Sequence, residues 1–179
     1  MTTNIKQLSS LPTSHVIHEG LEQVFFASSA TTTFPNPQAR TALYDLWLGQ
    51  YLTHDEHETF VALDETGQVA GYIVGSLTDP AGDPRYASLG YFAHFAHLTR
   101  AYPAHLHMNV ATHHRSRGLG ASLMSTFLAH LRNMSSPGVH VVTGKGMRNV
   151  RFYLANGFQE LAEAPWNGRT VVMLGRRLP

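Results

Sequence analysis

The chain has 179 residues, no cysteine, and 13 Lys plus Arg against 12 Asp plus Glu, for a formal net charge of +1. That length fits one domain, residues 1–179, able to bury its own core without staples, and the missing cysteines exclude disulfides, thiolate metal sites and cysteine nucleophiles together. Scattered arginines make no basic field for nucleic acid, no run is long enough for a membrane span, and the N-terminus has no signal-like apolar stretch, so a cytoplasmic protein with neither nucleic-acid nor membrane partners is expected.

In chain order, the first strand falls at Ile5 to Leu8 or at His15 to His18, and the sequence leaves both open. Asn36-Pro37 reads as an N-cap with proline in the first turn, and Ala39, Leu43, Leu46 and Trp47 follow at helical spacing toward Gly49. The run His54-Asp-Glu-His57-Glu58 is the densest cluster of metal-ligand types. Its histidines stand three apart instead of four, and its polarity suits a solvated loop, so no metal site is assigned.

Thr59 to Asp64 and Gln68 to Leu77 are β-forming runs around Glu65-Thr66-Gly67, which predicts an antiparallel hairpin. Breakers over Thr78 to Pro84 then lead into a long aromatic connection ending near Pro103. His105 to Ala111 alternates, with Leu106, Met108 and Val110 on one face and His105, His107 and Asn109 on the other. From Gly118 the apolar residues Leu119, Leu123, Met124, Phe127, Leu128 and Leu131 recur at helical spacing, until Pro137-Gly138. Val139 to Thr143 reads as a buried strand and Met147 to Ala155 as a helix stopped at Asn156-Gly157. Phe158 to Ala162 and Thr170 to Leu174 read as a strand pair around Asn167-Gly168.

Strand, short loop and helix start meet at Val110 to Leu123, and their physics is that of an anion site. Gly118 and Gly120 carry no side chain to block approach, so Gly118, Leu119, Gly120 and Ala121 can turn backbone N–H groups toward phosphate oxygens. The helix N-terminus adds about half a positive charge there. Arg115, Ser116 and Arg117 complete the loop, and the two arginines reinforce its potential. A Walker A loop needs GxxxxGK with Ser or Thr, which is absent, and a Rossmann fingerprint needs glycine where Leu123 stands. An ordinary glycine-bearing loop entering a core helix remains the alternative on spacing alone.

Arg115-x-x-Gly118-x-Gly120 after a strand ending in Val110 resembles the acyl-CoA-binding motif of the GNAT superfamily of N-acetyltransferases. Phe152-Tyr153-Leu-Ala-Asn-Gly157-Phe158 is similar to that superfamily's FYxxxGF signature, in the right order and at the usual distance. Tyr102-Pro-Ala-His-Leu-His107 and the ending Val172 to Leu178 look, more narrowly, like the acetyltransferase-like domain attached to O-GlcNAcases and its free-standing bacterial relatives.

The resemblance implies an α/β fold: a mixed, mostly antiparallel twisted sheet flanked by helices, with an acyl-CoA cleft between splayed central strands. It implies acetyl-CoA as acyl donor, no metal, and transfer of the acetyl group to an amine by direct attack. Pantetheine would pair with the backbone near Met108 and Val110, Phe152 and Asn149 would lie beside the cofactor, and Tyr153 would be the acid for the departing thiolate. Asn149 stands where relatives carry a small residue, and Gly146 stands where they carry Asn. Because an alkyl ammonium has a pKa of about 10.4, its proton needs a way out. His105 and His107 are the candidate bases, about 7 Å apart on a strand face expected to be the wetter one and able to hold a water relay. Serotonin N-acetyltransferase is similar in carrying a His-Leu-His triplet on this strand. Plain packing remains open for both histidines and for Tyr153. The runner-up function is a module that binds acetyl-CoA or CoA without turnover. Tyr44, Trp47 and the 86–102 connection are offered as acceptor walls; the amine itself is open, as is assembly, with a homodimer one of the options.

Overall fold

The computed structural model describes residues 3–12 and 14–179. One seven-stranded sheet has the order β1-β2-β3-β4-β5-β7-β6, with β1 Asn4–Gln7, β2 Phe60–Leu63, β3 Val69–Ser76, β4 Ala104–Val110, β5 Gly138–Gly144, β6 Gln159–Trp166 and β7 Arg169–Arg177. The β1–β2, β2–β3, β5–β7 and β6–β7 pairs are antiparallel, and β4 runs parallel to β5 with Ala104 opposite Val139 and His105 opposite His140. This is the mixed, mostly antiparallel α/β sheet expected from the sequence.

The chain divides into two compact units. One runs to Gly75 and takes up again over His107–Phe127; the other comprises Ser76–Leu106 and Leu128–Pro179. The first holds helices α1 (His15–Ser28), α2 (Pro37–Tyr44) and α3 (Gln50–His54). Asn36 Oδ1 accepts the Ala39 N–H at 2.8 Å, so the N-cap forms as its residue type dictates. The helix does not stop at Gly49: a π-turn, Asp45–Gly49, carries it into α3. A Cβ on Gly49 would sit 2.7 Å from Asp45 Oδ1 and 3.0 Å from the Tyr44 ring, so any larger residue there requires those two side chains to move. Of the two options for the first strand, the earlier one forms. His15–His18 instead opens α1, which buries Leu21, Val24 and Phe25 at helical spacing.

In the second unit, the segment expected to be a long connection contains a 3-10 turn, Pro84–Tyr86, and helix α4, Tyr91–Thr99. Tyr91, Phe92, Phe95 and Thr99 are its buried stripe, while His94 and His97 face out. Helix α5, Leu119–Asn133, begins in one unit and ends in the other, and α6 spans Arg148–Ala155. Asn167 and Gly168 both have positive φ, 48° and 72°, which makes the two-residue turn that joins β6 to β7.

Candidate active site

In the first unit, β4 ends against β3 with almost no clearance. The Ala111 N–H donates to Ala70 O at 2.9 Å, and a Cβ on Gly71 would lie 3.0 Å from Asn109 O and 3.3 Å from Val110 Cα. A 3-10 turn, Thr112–His114, follows, and then the backbone turns left-handed at Ser116 (φ 59°) and Gly118 (φ 83°) before α5 starts at Leu119. The alternation of conformations is the kind that directs successive N–H groups to one side, and the first-turn N–H groups of α5 have no acceptor within the helix. Gly118, Leu119, Gly120 and Ala121 therefore form an anion-ready helix start. Arg115 behaves differently: its Nε donates to Val110 O at 2.9 Å and its Nη2 donates to Ser28 Oγ at 2.9 Å.

Beside this loop is an open cleft of about 180 Å³ lined by Asp64, Glu65, Thr66, His113, His114 and Arg117. Asp64 caps the β2–β3 turn, accepting from Thr66 N, Thr66 Oγ1 and Gln68 N, and its carboxyl is held below the usual range chiefly by the Thr66 side chain. His114 Nε2 stands 3.8 Å from Asp64 Oδ2. Sequence reading missed this contact, because nothing in spacing pairs a hairpin turn with a loop fifty residues later.

His107 sits among Trp47, Phe25 and Tyr72, with ring centroids 5.8, 6.0 and 6.2 Å away. Among the described residues its Nδ1 has no hydrogen-bond partner, and burial pushes the imidazole pKa down to about 4. Asn109, on the same face of β4, donates to Tyr72 Oη at 2.8 Å. The expected wetter face is thus corrected at His107: aromatic side chains from α1, the π-turn and β3 pack against its ring and cover Nδ1, while the residue as a whole, like Asn109, is half-buried. Phe25 could have been found from the Leu21, Val24, Phe25 spacing of α1. Tyr44 joins the same cluster, 5.9 Å from Phe25 and stacked on Phe26.

In the second unit, His105 packs edge-on to Tyr86 at 4.6 Å and lies 5.7 Å from His140. It is 3 % exposed, and burial first, then the neighbouring His140, hold its ring neutral well below the usual range. Tyr86, Tyr91, Phe92 and Phe95 are core residues, so of the walls expected from 86–102 these four face inward. Tyr153 stands on α6, whose end is closed by Gly157 (φ 80°) with Phe158 N donating to Tyr153 O at 3.1 Å. Its ring meets Phe152 and Phe158 edge-on, and burial raises the phenol so that it stays protonated. Asn149 Nδ2 donates to Thr143 Oγ1 at 2.9 Å, tying the start of α6 to β5. The run His54 to Glu58 ends α3 and enters a 3-10 turn, with His57 Nδ1 3.1 Å from Ser9 Oγ.

The sequence matches the acetyltransferase (GNAT) family over residues 21–158, and the chain belongs to that family. Its activity class is that of a GNAT-type N-acetyltransferase, and the family implies acetyl-CoA as donor. Among solved structures, the chain is similar to SsHAT (21% identity, 100% of each chain, TM-score 0.75). It is similar also to the Pyrococcus horikoshii protein PH1933 (14% identity, 98% of each chain, TM-score 0.72). A third is the Drosophila melanogaster polyamine N-acetyltransferase that forms N-acetylagmatine (16% identity, 99% of this chain and 100% of that one, TM-score 0.66). At these identities the likeness shows the fold. The match is to the family as a whole and gives no support to the narrower kinship with the O-GlcNAcase-attached domain. No helix among the described residues is long and apolar enough to cross a membrane.

Proposed function

We propose that residues 1–179 work as one catalytic domain that moves the acetyl group of acetyl-CoA to an amine by direct attack. The observation that carries this reading is the run Arg115 to Ala121, where left-handed Ser116 and Gly118 lead straight into the N-terminus of α5. Backbone N–H groups of Gly118, Leu119, Gly120 and Ala121 take the pyrophosphate, and Ser116 and Arg117 border it. Met108 and Val110 offer backbone groups to pantetheine, and Phe152 and Asn149 lie along the cofactor. Asn149 gives that role only part of its amide, since Thr143 takes the rest.

Amine attack on the thioester carbonyl forms the new C–N bond as the C–S bond breaks, and the ammonium proton must leave. Tyr153 protonates the departing thiolate; burial keeps its phenol in the protonated form at neutral pH. His107 is the better proton acceptor of the two histidines, because its neutral ring has an Nδ1 with no partner among the described residues; His105 stands second. Aromatic residues Tyr44 and Trp47 line the acceptor side.

Release of CoA thiol over a panel of primary amines tests the reading, with calorimetry of CoA on Gly120→Val beside it. Turnover with at least one amine and a near-complete loss of CoA binding in the variant are expected. Tight CoA binding without thiol release across the panel would make the chain a CoA-binding module.

A further inference from the structure

The motif arginine is committed elsewhere before any ligand arrives. Arg115 Nε donates to the carbonyl of Val110, the last residue of β4, and Nη2 donates to Oγ of Ser28, the last residue of α1, both at 2.9 Å. The guanidinium is planar and its N–H groups diverge at fixed angles, so two partners in different directions fix it in place. One bond closes the five-residue arc from Val110 to Arg115 around the Thr112–His114 turn. The other reaches across 87 positions of sequence to a second element. The second anchor is also electrostatically suited, since the C-terminus of a helix carries partial negative charge and favours a cation. Ser116, the next residue, adopts φ 59°, a conformation uncommon for an L residue and helped by fixed neighbours.

We propose that Arg115 is a positioning residue, a brace between the end of β4 and the C-terminus of α1 that holds the cofactor loop in its anion-binding shape, and not a ligand of the phosphates. This rests on the reading of residues 115–121 as the CoA loop. The brace lowers the ordering cost of binding, because the left-handed turn is already set when the pyrophosphate arrives. Ser28 thereby becomes part of the cofactor apparatus, though it stands at the end of a different helix.

The experiment is CoA affinity by calorimetry at two salt concentrations for the wild type, Ser28→Ala, Ser28→Thr, Arg115→Ala, Arg115→Lys and the double variant Ser28→Ala with Arg115→Ala. A brace predicts that Ser28→Ala weakens CoA by roughly three- to fivefold, that Ser28→Thr keeps wild-type affinity, and that the double variant binds no worse than Arg115→Ala. It also predicts that Arg115→Lys does not restore affinity, and that Arg115→Ala retains the wild-type salt dependence, because no phosphate contact has been removed. Unchanged affinity in Ser28→Ala, rescue by lysine, or a flattened salt dependence in Arg115→Ala would each overturn the brace. Gly120→Val separates the two readings: unaltered CoA binding there sinks the loop itself, whereas loss there with no effect of Ser28→Ala sinks only the brace.

Discussion

We propose opposite roles in the proton balance for Tyr153 and His107, and burial acts on the two groups in opposite directions. It raises the phenol, which stays protonated, and lowers the imidazole to about 4, so that ring is neutral at pH 7. Tyr153→Phe should reduce kcat by about 10²-fold with CoA affinity nearly unchanged; a variant with wild-type kcat would return Tyr153 to the core. The rate should stay flat on acidification from pH 7 to 5.5 and fall only toward the lowered imidazole value, because a base loses function when it protonates. His107→Gln should remove that limb at constant CoA affinity. A limb centred at the ordinary histidine value of about 6.5 would show that another group takes the proton.

At the scale of elements, local chemistry explains most of what forms. The Asn36 cap, the Asn167-Gly168 turn and the Gly157 stop each use a residue type with one strong preference, and each sits where the sequence indicated. Asn36→Ala should cost about 1 kcal/mol in denaturant unfolding. Helices α1 and α4 were not legible. The buried stripe of α1 is only Leu21, Val24 and Phe25, and in α4 the density of aromatics masked the period that Tyr91, Phe92, Phe95 and Thr99 keep. The π-turn was hidden too, since the helical spacing of Ala39, Leu43, Leu46 and Trp47 does not mark a widened turn. Gly71 is the tightest joint beside the loop. Gly71→Val would drive a branched side chain into the backbone of Asn109 and Val110, and it should lower the melting temperature and CoA affinity together.

Across the whole molecule, among the described residues, the buried His105 and His140 and the half-buried His107, whose Nδ1 is covered, couple folding to pH. His105 faces Tyr86, Phe92 and His140, with Arg85 adding to its depression; His140 donates from Nδ1 to Tyr102 O and feels Asp79; His107 faces Phe25, Trp47 and Tyr72. Desolvation is the leading cause in each, and His107 and His140 both fall to about 4. Their folded values lie below the unfolded value of about 6.5, so the unfolded chain binds more protons in between, and stability falls as pH drops. The contribution is complete above pH 6.5 and lost progressively toward pH 4, on the order of 3 kcal/mol for each of these two at the acid end. Urea unfolding at pH 7, 5.5 and 4.5 should show that decline, and His140→Gln should make it shallower. Equal stability at all three pH values would mean that the rings are hydrated.

The sequence by itself pointed to the family through its resemblance in two motifs, Arg115-x-x-Gly118-x-Gly120 and Phe152-Tyr153 to Phe158, and to both hairpins, because turn residues and apolar periods are local and each permits few conformations. Only the tertiary structure decided that aromatic rings cover His107 and bury His105, that Arg115 donates to Val110 and Ser28, and that Asp64 stands beside His114. Alternation along a strand assigns side chains to faces, but whether a face meets water depends on residues far away in sequence that cover it. An arginine's partner is likewise chosen by which carbonyl or hydroxyl the fold brings within about 3 Å.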